Sequence, residues 1–208
     1  MSTVPQASPE TRWPYDRIDT VTLRVIGGAF DAAAREMAQV LYRMSNSTII
    51  RESEDLGCGL YDAVGNEFCE SESSPMHIGS LPAYIRGFLR KLSGRIEDGD
   101  VIIHNHPYHG ASHTPDMGVI TPIFHEGELI GFSAATAHLT DIGAAAPGLN
   151  VDLIDVLAEG TLYDGIKLYE RGVRNESVWS ILRDSVRTPD MNAADIEAMV
   201  AAVRTGKR

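Results

Sequence analysis

Apolar residues first recur with a clear period after position 20. Leu23, Ile26, Phe30, Ala33, Met37, Leu41 and Met44 fall three and four apart, which predicts one long amphipathic helix with a buried face, running through the Gly27-Gly28 pair. The texture then turns β-like. "GCGLYDAVGNEF" sets Asp62, Gly65 and Asn66 between two short apolar segments, the composition of a hairpin turn. In "PMHIGSLPAYIRGFLRKL", Ser80 is placed to cap a helix running to about Leu92, with Pro82 in a first turn that tolerates it. "RIEDGDVIIHNH" reads as a turn and a strand. The clearest strand pattern is "MGVITPIFHEGELIGFSAATAH", two arms rich in Val, Ile, Phe and Thr joined at "HEG", which predicts a central hairpin. After a mixed segment, "NESVWSILRDSV" and "NAADIEAMVAAV" read as two short helices separated by Thr188 and Pro189. The last carries Ile196, Met199, Val200 and Val203 on one side; a helix this short is marginal alone and must dock, with another chain as one place for the dock. The expected class is α+β, with a mixed or antiparallel sheet, a long N-terminal helix and docking helices at the C-terminus.

Composition narrows the options. The chain has 208 residues, of which 43% are apolar, enough for one sizeable core. Residues 1–17 are polar with three prolines and are expected to form an arm, disordered or laid on a partner, ahead of one domain spanning 18–208. A formal charge of -11 leaves no basic stripe, which argues against nucleic acid and anionic membrane as partners. No apolar run is long enough to cross a bilayer, and the first residues lack the apolar core of a signal peptide, so the expected location is the cytoplasm. Cys58 and Cys69 are too few for a disulfide framework and are expected as buried free thiols. G-x-S-x-G, P-loop and G-x-G-x-x-G motifs are all missing, so nothing in the sequence binds ATP recognisably.

The chemistry gathers in "HNHPYHGASHTPD", where four of the seven histidines, His104, His106, His109 and His113, fall within ten positions and Asp116 closes the run. Loops at strand ends are where a rigid scaffold presents reactive groups. His113 and Asp116, three apart around a proline, can meet one cation. The hairpin that leaves Asp116 and returns antiparallel brings His138 back beside them, because its arms are nearly equal. An imidazole and carboxylate set with open positions suits zinc, manganese or iron and reads as catalytic. His104, His106 and His109 cannot all be ligands alongside His113, and one of them is expected as a ligand-supporting or acid/base group, with His106 as the proton-transfer candidate. If the segment is extended, His104 and His106 share one side and His109 lies on the other. His77, just before a helix N-terminus, is a second proton-transfer candidate, with a capping or core role as its bland alternative. Asp55, in the acidic run before "LGCGLYD", is a further ligand candidate. His125 at the hairpin tip is expected to be solvated.

With those residues in place, the chain resembles the hydantoinase B/oxoprolinase family, which includes the metal-bearing component of acetone carboxylase. The matching pieces are "IIRESEDLGCGLYDAVG", "PMHIGSLP", "GASHTPD", "PIFHEGELIGF", "AHLTDIGAAAPG" and "IKLYERGVRNE", in the family's order. The resemblance implies a metal-site component of a complex in which a hydantoinase A-type partner uses ATP to activate a small-molecule carbonyl substrate. It implies ring-opening hydrolysis of a cyclic amide or imide, with carboxylation of a ketone as the alternative; a non-catalytic structural role is the reading from another class. In carboxylase relatives the ligands are a His-x-x-Asp pair and a later His, which match His113, Asp116 and His138. In lactam-hydrolysing relatives zinc and an upstream aspartate are involved, which matches Asp55. His106 departs from the pattern, standing where many relatives have aspartate. Family members are also much longer, so the resemblance covers their N-terminal part. It implies a hetero-oligomer in which another chain supplies the C-terminal part, and a chain inactive alone.

Overall fold

The computed structural model describes residues 18–72, 74–148 and 152–208; the expected arm at 1–17 lies outside them. The first element is the predicted long helix, α1 (Thr20–Met44). Asp19 starts it by accepting from the Val21 and Thr22 amides at 2.9 and 3.0 Å, a cap worth about 1 kcal/mol. Its apolar stripe is only half used. Ala34, Met37, Ala38 and Leu41 are buried, whereas Leu23 and Ile26 remain exposed, so the buried face begins near Phe30 rather than at the helix start.

A short helix that the β-like reading missed, α2 (Thr48–Ser53), leads into β1 (Leu56–Asp62) and β2 (Glu67–Glu70). The hairpin turns as its composition predicts. Asp62 Oδ1 accepts from the Val64 and Asn66 amides, and Gly65 takes a positive φ of 83°. Next come α3 (Leu81–Leu92), β3 (Val101–His104), β4 (Asp116–His125) and β5 (Glu128–His138). Ser80 holds the N-cap position of α3, but its hydroxyl donates back to the His77 carbonyl instead of capping. The mixed segment resolves into β6 (Ile166–Glu170) and β7 (Val173–Arg174), followed by α4 (Glu176–Asp184) and α5 (Pro189–Lys207).

The seven strands of the described residues form one sheet in the order β2-β1-β5-β4-β3-β6-β7, every pairing antiparallel. Alternation divides its side chains between two cores. Cys58, Val101, Met117, Val119, Ala135 and Ala137 face α1 and α5. Tyr61, Ile102, Ile120, Phe132 and Ala134 face α3, with Tyr84, Ile85 and Phe88 of that helix. The class is α+β, as the pattern predicts. The terminal helix is longer than expected and needs no second chain for its dock: Ile196, Met199, Val200 and Val203 are buried within this core. Buried Asp195 fastens it by accepting from the Asn46 and Ser47 amides, at the turn between α1 and α2. Cys58 and Cys69 are free and buried. Among the described residues, no helix is long and apolar enough to cross a membrane.

Candidate metal centre

The central hairpin sets the site. Its two-residue turn places Glu126 and Gly127 at φ 50° and 85°, the double positive φ of a type I′ connection. From there the pairs run His125 with Glu128 and Phe124 with Leu129, then jump to Ile123 with Gly131. Ile130 is the extra residue of a β-bulge. That single residue shifts the register so that Asp116 faces His138 directly; without it Asp116 would oppose Ala137, whose side chain belongs to the other face.

Asp116 is fully buried and His138 nearly so, while His113 keeps about a fifth of its side-chain surface. His113 Nε2 lies 2.9 Å and His138 Nδ1 3.2 Å from the same oxygen, Asp116 Oδ1. One ligand atom from each of the three fits within 4.8 Å of the others. Two donors on one divalent ion with bonds of about 2.1 Å stand about 3.0 Å apart at a right angle and about 3.4 Å apart at the tetrahedral angle. The observed separations are close to that range. His113 Nε2 also lacks an alternative use: it is buried and approaches the carboxylate without a directed hydrogen bond. Buried polar atoms are nearly always satisfied, so this nitrogen fits a cation-binding role. Burial alone would raise the Asp116 pKa, but the His138 hydrogen bond, His113, the Ser112 hydroxyl and His77 together outweigh it and hold the carboxyl below its usual range. The group is ionised at neutral pH, as a ligand must be.

The other predicted residues divide. His77, fully buried, holds Asp55 through Nε2 at 2.9 Å and is among the groups that lower the Asp116 carboxyl. The Asp55 backbone carbonyl accepts the His138 amide at 3.1 Å, so the entry to β1 carries this pair to the edge of the trio. The Asp55 carboxylate is engaged by His77 rather than gathered into the three-residue cluster. His106 stacks on His109, centroids 4.3 Å apart, and its Nδ1 is buried without a partner. The stretch is not extended: a turn of 3-10 helix at Pro107–His109 folds His109 back onto His106, so the division of sides that an extended segment would give does not arise. His104 is buried against Tyr84 and faces Asp164 together with His109, and its pKa is lowered by burial. His125 is exposed, as expected.

Several residues of the site carry no signal in the sequence. Buried Asn105 ties the histidine loop together by donating to the carbonyls of Thr114 and Thr161 and accepting from the Tyr163 amide. Glu159 accepts from the Thr114 amide at 3.0 Å. Ser112 donates to Asp116 Oδ2, and the Tyr84 hydroxyl reaches the Asp116 carbonyl at 3.0 Å. Each partner is dozens of positions away or is a common loop residue. Beside His113 opens a groove of about 300 Å³, lined among others by Tyr108, Ser112, Ile154, Asp155 and Glu159.

Comparison with known proteins identifies relatives of the chain. A protein of Pseudomonas sp. (strain NS671) assigned as the B component of a D-/L-hydantoinase is 48% identical over 196 residues, which cover 91% of this chain and 33% of that protein. The structure of the ATP-dependent caprolactamase from Pseudomonas jessenii superposes with a TM-score of 0.86 at 32% identity, covering 92% of this chain and 33% of that one. Nucleotide-free acetone carboxylase, at 22% identity, shares the fold with a TM-score of 0.83 over 94% of this chain and 25% of that one. The chain thus spans about a third of the length of the hydantoinase and caprolactamase relatives. The family described as hydantoinase B/oxoprolinase matches residues 19–208, a span that takes in the hairpin, the loop and the trio, and the chain belongs to that family.

Proposed function

We propose that this chain carries the metal site of an ATP-dependent enzyme that opens a cyclic amide or imide. The observation behind the reading is the convergence of His113, Asp116 and His138 on one side of a sheet in a member of the hydantoinase B/oxoprolinase family. Hydantoinase and caprolactamase relatives at 48% and 32% identity favour ring hydrolysis over ketone carboxylation. The residues would hold a divalent zinc, manganese or iron ion through two imidazoles and one carboxylate. Bound there, the ion supplies Lewis acidity toward a carbonyl oxygen or an attacking water.

This chain's own groups do the rest. Asp116 brings the negative charge that holds a cation in a buried place. His77, oriented by Asp55 through one ring nitrogen and with the other unpartnered, is the group placed to hold and pass a proton at Nδ1. His106 is the second proton-transfer candidate, its Nδ1 equally free of partners. Asp55 holds His77 through Oδ1, so we assign it an orienting role, with a ligand role through its second oxygen. The groove beside His113 is the place for a small ring.

ATP is not used by this chain in the proposal. A hydantoinase A-type partner activates the substrate carbonyl, and the remaining length of the family, on this polypeptide or another, completes the enzyme. The assembly is cytoplasmic and hetero-oligomeric, and the chain alone is inactive. Metal analysis of the purified chain is the test: about one equivalent of zinc, manganese or iron is expected, falling to background in His113→Ala. Metal content unchanged by that substitution removes the trio and favours a structural role. For the reaction, the whole assembly with ATP should open a hydantoin or lactam; label passing from bicarbonate into a ketone would instead establish the carboxylase.

A further inference from the structure

One oxygen of Asp116 faces the two imidazoles, and the other has a separate partner. Ser112 Oγ donates to Asp116 Oδ2. The two imidazoles meet Oδ1 alone. Ser112 is itself held: its amide donates to the Tyr84 hydroxyl at 3.3 Å, and that hydroxyl lies 3.1 Å from Ser112 Oγ and 3.0 Å from the Asp116 carbonyl oxygen. Tyr84 is in turn closely packed. It is fully buried, its ring edge meets His104, and a Cβ on Gly118 would come within 2.6 Å of it. α3 thereby reaches across the sheet face and clamps both the backbone and the side chain of the aspartate. An exposed serine at the mouth of a buried carboxylate has no packing task to explain this arrangement.

We propose that Ser112, seated by Tyr84, is a positioning residue for the metal: it occupies Asp116 Oδ2 so that the carboxylate binds through Oδ1 only, in the orientation shared by His113 and His138. The inference rests on the metal reading of the trio. A carboxylate that is free to rotate offers a cation either oxygen or both, and the imidazole nitrogens then no longer match its position. Hydrogen bonds of this outer kind usually set metal affinity by about 10- to 100-fold.

The test is equilibrium dialysis of the full chain against Zn²⁺ and Mn²⁺, with thermal melting of the metal-free proteins as the control for folding. Wild type should bind about one equivalent. Ser112→Ala should bind about 10- to 100-fold more weakly with an unchanged metal-free melting temperature, while Ser112→Thr, which restores the hydroxyl, should stay within about threefold of wild type. Tyr84→Phe should weaken binding in the same direction by less, since it loosens Ser112 without removing it. Unaltered affinity in Ser112→Ala overturns the proposal and leaves the trio standing. Equal weakening in Ser112→Thr overturns it as well, because the hydroxyl is then not what matters. A wild type that binds no metal removes the metal reading itself and this role with it.

Discussion

At the scale of single residues, the site depends on which polar atoms are spoken for. Asp116 has one oxygen on Ser112 and one facing two imidazoles, and none of this is visible from residue types. His104 shows the same point in its protonation. Burial lowers its pKa from 6.5, so the folded protein keeps the ring neutral where the unfolded chain would take up a proton. Stability tied to His104 is therefore intact above pH 6.5 and declines as the pH falls below it. Urea melts at pH 7.5 and 5.5 should show a drop in wild type that shrinks in His104→Gln. Gly118 is a second case. A methyl group there meets the Tyr84 ring at 2.6 and 3.0 Å and the His104 carbonyl at 3.1 Å, so Gly118→Ala should cost about 1–3 kcal/mol in denaturant unfolding and weaken metal binding through Tyr84.

At the scale of elements, periodicity located most of the fold. The alternation in the 117–138 ribbon and the three-and-four spacing after Thr20 both correspond to real elements. What periodicity left open was the partner of each face. The helix Pro189–Lys207 lies on the sheet beside α1, in the same core as Met37 and Leu41. Met199→Ala should therefore destabilise the isolated chain by about 2–5 kcal/mol, measured by urea unfolding; a helix docked on another chain would leave the isolated protein unaffected. The histidine run is the opposite case. Its members are close in sequence, yet the short 3-10 turn separates His106 and His109 from His113, and of the four only His113 joins the trio.

For the whole molecule, the proposed metal site is a joint between elements far apart in sequence. The trio brackets the central hairpin, Asp55 leads into β1, His77 precedes α3, and Tyr84 belongs to α3. Ligand binding to a joint of this kind stabilises the entire fold by mass action, by about 2.7 kcal/mol at a hundred times the dissociation constant. Thermal melting with excess Zn²⁺ or Mn²⁺ should accordingly rise in wild type and stay flat in His138→Ala. A flat wild-type melt would count against a site formed within this chain. The charge of -11 acts at the same scale, through solubility and association rather than through the fold.

The sequence by itself determined the class, the long first helix, the central hairpin and the candidates His113, Asp116 and His138, because period, turn residues and ligand types are local properties read from neighbours. Only the tertiary structure decided that Ile130 bulges out to bring Asp116 opposite His138, that His77 takes Asp55, that Ser112 and Tyr84 fix the carboxylate, and that the last helix docks at home. Those outcomes depend on distances between residues remote along the chain. A one-residue change of register reverses the face of every side chain beyond it, and no local pattern records which register the packed sheet adopts.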